Sequence, residues 1–283
     1  MSVELLDQPT LRRRTQTDPL WESLRREAED ALDREPALAP LFVNAILQRR
    51  SFEDAVLCRI VMRLGTDVVL GRVLSDAFDR AVASDPAIGV AFRADIGAVV
   101  ERDPACGRFL DPLLYFKGFH AIQAHRLAHW LWHHDRPDLA LCLQSWSSQA
   151  FQTDIHPAAR FGRGIFLDHA TGLVAGATAV VENDVSILQD VTLGGTGLDA
   201  GDRHPKVRRG VLIGAGAKIL GNVEIGNCSR IAAGSVVTHP VPANSTVAGN
   251  PARVVGHAGC AEPARTMDQT LGDLSYESFT YTI

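Results

Sequence analysis

Asp168 and His169 stand side by side in Leu167-Asp168-His169-Ala170-Thr171-Gly172, followed by small, turn-prone residues. An imidazole's unperturbed pKa lies nearest neutrality of all side chains, which suits a general base. Such a base needs a partner to orient its second ring nitrogen, and Asp154, 15 residues earlier, is an available carboxylate. A lone histidine also serves structure well, because its neutral ring packs while still hydrogen bonding. A second charged cluster, Asp202-Arg203-His204-Pro205-Lys206, follows the glycine run Gly194-Gly195-Thr196-Gly197. A guanidinium grips a carboxylate through two parallel hydrogen bonds. Arg203, set against Asp168 and a further carboxylate, would therefore hold a small zwitterion. The same charges suit a solvated loop, and the glycines suit a tight turn as well as backbone N–H groups brought close to a ligand. His125, His129 and His133 recur at helical spacing, but no glutamate follows His125 as in a zinc-binding helix. Helix packing is the expectation there, and no metal site is assigned.

The elements that must position these groups have two different periods. From Ile155 to Val237 an apolar residue falls at nearly every sixth position: Ile155, Phe161, Leu167, Leu173, Ala179, Val185 and Val191, then Ile213, Ile219, Ile225, Ile231 and Val237. Three short strands with a turn after each make a triangular coil of about 18 residues, so a parallel β-helix of about four coils is expected. The period does not supply the hand, and parallel crossovers are right-handed by default. The stretch between Val191 and Ile213 is out of frame, so part of it must leave the coil as a loop. Seventeen of the 24 glycines lie between Phe151 and Cys260, where turns must recur. The first 150 residues carry helical stripes instead, such as Phe52, Val56, Leu57, Ile60, Val61 and Leu64 behind a Ser51 N-cap;. The fold class expected is α+β: a flexible segment over 1–18, an all-α domain over 19–151, a β-helix over 152–257 and a flexible tail over 258–283.

At 283 residues with 46% apolar and 22% charged side chains, the composition is that of a globular protein large enough to bury a core;. A formal net charge of −5 argues against a nucleic-acid partner, which needs a basic face;. No apolar run reaches the length of a membrane span, and the amino-terminal residues have no apolar signal-peptide core, so no membrane association and a cytoplasmic location are expected. The five cysteines are scattered without paired spacing and are expected to be reduced thiols with no metal role;. Lysine occurs only three times, at Lys117, Lys206 and Lys218, so each is worth locating.

Several segments together resemble the serine O-acetyltransferases, a family of hexapeptide-repeat acyltransferases. They are Asp154-Ile155-His156-Pro157-Ala158-Ala159, Leu167 to Gly172, Glu182-Asn183-Asp184-Val185-Ser186-Ile187, Val191 to Gly197, Gly201 to Lys206 and Gly249-Asn250-Pro251-Ala252-Arg253. Arg102-Asp103-Pro104-Ala105 and Lys117-Gly118-Phe119-His120-Ala121 extend the likeness into the helical half. The resemblance implies a left-handed parallel β-helix, no tightly bound cofactor, acetyl-CoA as co-substrate and L-serine as acceptor. By that likeness His169 is the base and Asp154 its orienting carboxylate. Asp103, Asp168, Arg203 and His204 bind serine, while Gly195, Thr196 and Ala215 line the CoA arm; Lys218, as one of only three lysines, is expected to meet a CoA phosphate or a nearby acid. L-Cysteine is implied as feedback inhibitor, O-acetylserine sulfhydrylase as a partner docked through Ile283, and a homotrimer or dimer of trimers as the assembly. Leu198 departs from the family, where a lysine often follows the glycine run. Within the same fold an acetyltransferase for a sugar or xenobiotic hydroxyl is the alternative, and outside catalysis a regulatory scaffold for the sulfhydrylase.

Overall fold

In a computed structural model the chain is described over residues 18–65, 68–198 and 200–271. The amino-terminal half is helical. Its helices are α1 (Pro19–Arg34), α2 (Ala39–Phe42), α3 (Phe52–Leu64), α4 (Val68–Ser84), α5 (Pro86–Arg102), α6 (Leu110–Leu114), α7 (Lys117–Trp132) and α8 (Pro137–Phe151). Local signals set the ends: Ser51 Oγ accepts from Asp54 N–H to cap α3, and Gly65 closes it in the left-handed region;. Asp85 caps α5 ahead of Pro86 in the first turn;. The central helix is α7, buried along most of its length through residues such as Phe119, Ala121, Leu127 and Leu131.

The second half is a parallel β-solenoid with three faces. The first face is β1 (Thr153–Ile155), β4 (Leu173–Ala175), β7 (Thr192–Gly194), β10 (Lys218–Leu220) and β13 (Val236–Val237). The second is β2 (Arg160–Phe161), β5 (Val180–Val181), β8 (Lys206–Val207) and β11 (Glu224–Ile225). The third is β3 (Phe166–Leu167), β6 (Ser186–Ile187), β9 (Leu212–Ile213), β12 (Arg230–Ile231) and β14 (Ser245–Gly249), capped by the antiparallel β15 (Ala252–His257). The beat residues Leu167, Ala179, Val185, Val191, Ile213 and Ile219 fill one interior, so the period does mark the inward positions.

The register corrects the six-step count at two places. Ile213 lies opposite Ile231, an 18-residue coil, whereas Ile155 lies opposite Ala175, two residues farther on than the beat placed it. The surplus sits in one turn. Leu167 pairs with Ile187 and Val174 with Thr192, so the β3–β4 connection is two residues longer than the β6–β7 connection. Likewise Val180 faces Lys206 while Lys206 faces Glu224, so the coil carrying the out-of-frame loop is eight residues longer than an ordinary one. Val191 and Ile213 therefore do not occupy equivalent positions.

A buried ionic network joins the halves. Asp95 on α5 takes Arg126 Nη2 of α7 at 2.6 Å and the Ile165 N–H of the first coil at 2.9 Å, and Arg126 also donates to the Gly162 carbonyl at 2.7 Å. Arg102, at the end of α5, donates to the Gly164 carbonyl at 3.0 Å and to Ser186 Oγ at 3.1 Å. The segment expected to be a free tail is packed over its first part. The short helix α9 (Pro263–Thr266) lies on the solenoid, with the Ala264 carbonyl accepting from Ser186 Oγ and Met267 resting beside Val99, Cys106 and Phe166.

Candidate active site

His169 occupies the two-residue surplus of the β3–β4 turn. It and Ala170 are consecutive non-glycine residues in the left-handed region, at φ 56° and 61°. Each such residue costs about 1–2 kcal/mol for an L-amino acid, so the turn persists only because its surroundings determine it. Ala170 N–H donates to the Asp168 carbonyl at 2.6 Å, Thr171 N–H to the His169 carbonyl at 2.8 Å and Gly172 N–H to the Gln152 carbonyl at 2.8 Å. The result projects the imidazole outward, with its side chain 72% exposed and Nε2 3.7 Å from Asp168 Oδ1.

Asp103 meets this turn from the helical half. It terminates α5, and its Oδ1 accepts from Ala105 N–H at 2.9 Å. The Arg102 rivets described above hold that helix end on the solenoid. Asp103, Asp168 and His169 line one cavity of about 1060 Å³ together with Lys117, Thr171 and Met267. Burial raises the Asp168 pKa and the neighbouring Asp103 raises it further, while His169 and a backbone hydrogen bond oppose the rise. Two carboxylates and an imidazole facing one opening suit a cationic ligand beside a proton acceptor.

Asp154 lies on β1, one coil before the turn and opposite Val174. Its Oδ1 accepts from Gln144 Nε2 of α8 at 2.6 Å; in this conformation it makes no hydrogen bond to His169. Gln144 carries no sequence signal, because its relation to Asp154 depends on how α8 docks.

Arg203 and His204 belong to the opposite long edge of the first face. His169 precedes β4, on the edge where the third face meets the first; Arg203 and His204 precede β8, where the first face meets the second. Thr178, from the same edge one coil earlier, organises them: its Oγ1 accepts from both Arg203 N–H and His204 N–H at 3.1 Å, and its own N–H donates to His204 Nδ1 at 3.2 Å. That bond leaves Nδ1 unprotonated, and burial, then Arg203 and Lys206, lower the His204 pKa. A β-carbon on Gly176 would fall 1.9 Å from His204 Nε2, so only glycine admits the ring;. Lys206 ties the loop down through the Thr178 carbonyl at 2.8 Å and Asp202 at 2.6 Å, while the Arg203 guanidinium donates to the Ala200 and Gly201 carbonyls. One chain thus separates the sequence-derived residues into two clusters on opposite edges rather than closing Arg203 onto Asp168.

The residues assigned to the CoA arm divide in the same way. Gly195 and Thr196 follow β7 on the Arg203 edge, Ala215 lies before β10 on the His169 edge, and Lys218 on β10 pairs with Asp190 Oδ1 at 2.8 Å. Ile283 lies outside the described residues. Two of the three histidines face the first coil: His129 Nδ1 bonds the Pro157 carbonyl at 2.8 Å, and His125 packs edge-on to Phe161, while His133 follows the end of α7 and packs against His129. Among the described residues no group of three or more His, Cys, Asp or Glu is placed to hold a metal ion, and no helix is long and apolar enough to cross a membrane.

Comparison with known proteins agrees with this architecture. Residues 20–124 match the family model "Serine acetyltransferase, N-terminal", and residues 204–239 match the bacterial transferase hexapeptide (six repeats). The serine acetyltransferase of Escherichia coli K12 is 48% identical over 262 residues, covering 93% of this chain and 96% of that protein. A crystal structure of serine acetyltransferase from Brucella abortus strain S19 in complex with coenzyme A superposes with a TM-score of 0.85 at 60% identity, covering 87% of this chain and 98% of that one. A serine acetyltransferase in complex with cysteine gives a TM-score of 0.86 at 50% identity, covering 89% and 98%. With this identity spread over both the helical half and the solenoid, the chain belongs to the serine acetyltransferase family.

Proposed function

We propose that this enzyme transfers the acetyl group of acetyl-CoA to the hydroxyl of L-serine, giving O-acetyl-L-serine and CoA, and so opens cysteine synthesis from serine. The observation that carries the reading is the meeting of Asp103, Asp168 and the outward-held His169 at one cavity. Asp103 and Asp168 receive the serine ammonium. His169 takes the hydroxyl proton as the serine oxygen attacks the thioester carbon, and the tetrahedral intermediate collapses to expel CoA thiolate. The imidazolium then returns its proton to that sulfur, so no covalent enzyme intermediate is needed. Asp154 steadies the ring, and Gln144 holds the Asp154 carboxylate.

The carboxylate clamp, Arg203 with His204, comes from a neighbouring copy. The two half-sites lie on opposite edges of one solenoid face, and a threefold assembly places the His169 edge of each chain against the Arg203 edge of the next. The same groove accommodates CoA along Gly195 and Thr196 of one chain and Ala215 and Lys218 of the other. The assembly is a homotrimer or a dimer of trimers, wound in the left-handed sense that membership of the family implies. L-Cysteine shares the ammonium and carboxylate of serine, so it competes for the clamp as a feedback inhibitor. Ile283 docks into O-acetylserine sulfhydrylase, and the enzyme works in the cytoplasm. Thiol release from acetyl-CoA tests the reading with L-serine, homoserine and a hexose as acceptors. L-Serine is the preferred acceptor, and His169→Ala abolishes its turnover; equal rates for all three, or an undiminished mutant, would refute it.

A further inference from the structure

The amino-terminal turn of α7 is docked directly on the strained turn that carries His169. Lys117, its first residue, sends Nζ to Gln152 Oε1 at 3.0 Å and to Thr171 Oγ1. Gly118 sits so close to the end of β3 that a β-carbon there would lie 2.0 Å from the Leu167 carbonyl oxygen, the residue preceding Asp168. Gln152 closes the contact from below, since its carbonyl accepts the Gly172 N–H at 2.8 Å. The backbone bonds of the β3–β4 turn come from the solenoid's own ladder and from Gln152. The Lys117–Thr171 bond is different, because it is a side-chain tether from the helical half.

Three features make this tether more than a surface contact. The lysine meets two neutral oxygens rather than a carboxylate, although Asp103 and Asp168 line the same cavity. Its anchor, Thr171, is the first residue after the two left-handed ones, His169 and Ala170. The register shows that turn to be the place where two extra residues enter the solenoid, so neighbouring coils offer no template for its shape.

We propose that Lys117 is a positioning residue for the acetyl transfer: by holding Thr171 Oγ1 against Gln152 it fixes the His169 turn, without itself touching serine or CoA. The inference rests on His169 acting as the base. A displacement of the reacting group by about 1 Å can cost roughly 10²-fold in rate, and that is the order of loss expected when the tether is cut.

Steady-state kinetics of the full-length enzyme test this with Lys117→Met, Lys117→Arg, Thr171→Val, Thr171→Ser and the Lys117→Met/Thr171→Val pair. Lys117→Met and Thr171→Val should each lower kcat by about 10- to 100-fold, with KM for L-serine and for acetyl-CoA changed less than about threefold. The double variant should be no slower than the slower single one, because both cut the same bond. Thr171→Ser and Lys117→Arg should restore most of the rate. If Lys117→Met does not fold, the Thr171 pair, which differs by one hydroxyl, still decides. An unchanged kcat, losses that multiply in the double variant, or a loss confined to KM for serine would overturn the proposal, the last by making Lys117 a substrate ligand. Wild-type enzyme without serine turnover would instead count against the function itself.

Discussion

At the residue scale, the site places ionisable groups where their environment works against their charge. Asp168 is held partly out of water beside Asp103, so its ionised form is disfavoured in the folded protein;. A carboxyl whose folded pKa lies above its unfolded one costs stability at neutral pH, and the cost disappears as pH falls through the raised value. Asp168→Asn should therefore raise the thermal midpoint at neutral pH, by about 1–4 °C, while sharply raising KM for L-serine; calorimetry and kinetics on the same preparation check both. His169→Ala should lower kcat by about 10²- to 10⁴-fold, the range of general-base assistance. Much of this was legible from residue types alone: an aspartate beside a histidine amid small residues, and an arginine beside a histidine in an out-of-frame loop. Thr178, Gln144 and Lys117 were not legible as site residues. Each acts through hydrogen bonds to partners far along the chain, among them ones 25, 10 and 54 positions away, and only the completed fold relates them.

At the scale of elements, the helical half acts as a mount. It delivers Asp103 at the end of α5 and Lys117 at the start of α7, and the buried Asp95–Arg126 pair welds both helices to the first coil. Removing one member of such a pair strands the other charge at about 3–5 kcal/mol. Asp95→Ala should accordingly lower unfolding free energy by that amount in denaturant titrations. His120, packed between Phe119 and Phe151, is pushed down to about 3 by burial while its Nε2 meets the Leu113 carbonyl at 2.8 Å. A histidine that stays neutral when folded but protonates when unfolded loses stability as pH drops below the ordinary 6.5 toward that value;. His120→Gln keeps a donor for Leu113 and removes the titration, so its thermal midpoint should fall less steeply between pH 6 and pH 4 than that of wild type. The six-residue beat showed which residues face inward, since burial alone dictates that pattern. It also exposed the long loop between Val191 and Ile213 as a break in frame, but not the two-residue surplus of the β3–β4 turn, which leaves apolar residues near the expected positions. That surplus holds His169, so the proposed base sits where the coil departs from its regular length.

At the scale of the whole molecule, the His169 and Arg203 clusters lie on opposite edges of one solenoid face, so in the proposed trimer each chain contributes to two sites. The sequence suggested a single clamp because Asp168 and Arg203 both bear on a zwitterion, but a triangular solenoid puts them on different edges of a face, and spacing along the chain does not reveal this. The proposed trimer makes each complete site from two chains. Co-expression of two separately inactive variants, His169→Ala and Arg203→Ala, measures this most directly. Every mixed trimer contains one interface with an intact His169 edge facing an intact Arg203 edge, so random assembly should recover about a quarter of wild-type serine acetylation. Activity no greater than the sum of the two variants assayed apart, in samples shown to contain mixed trimers, would contradict a site shared between chains.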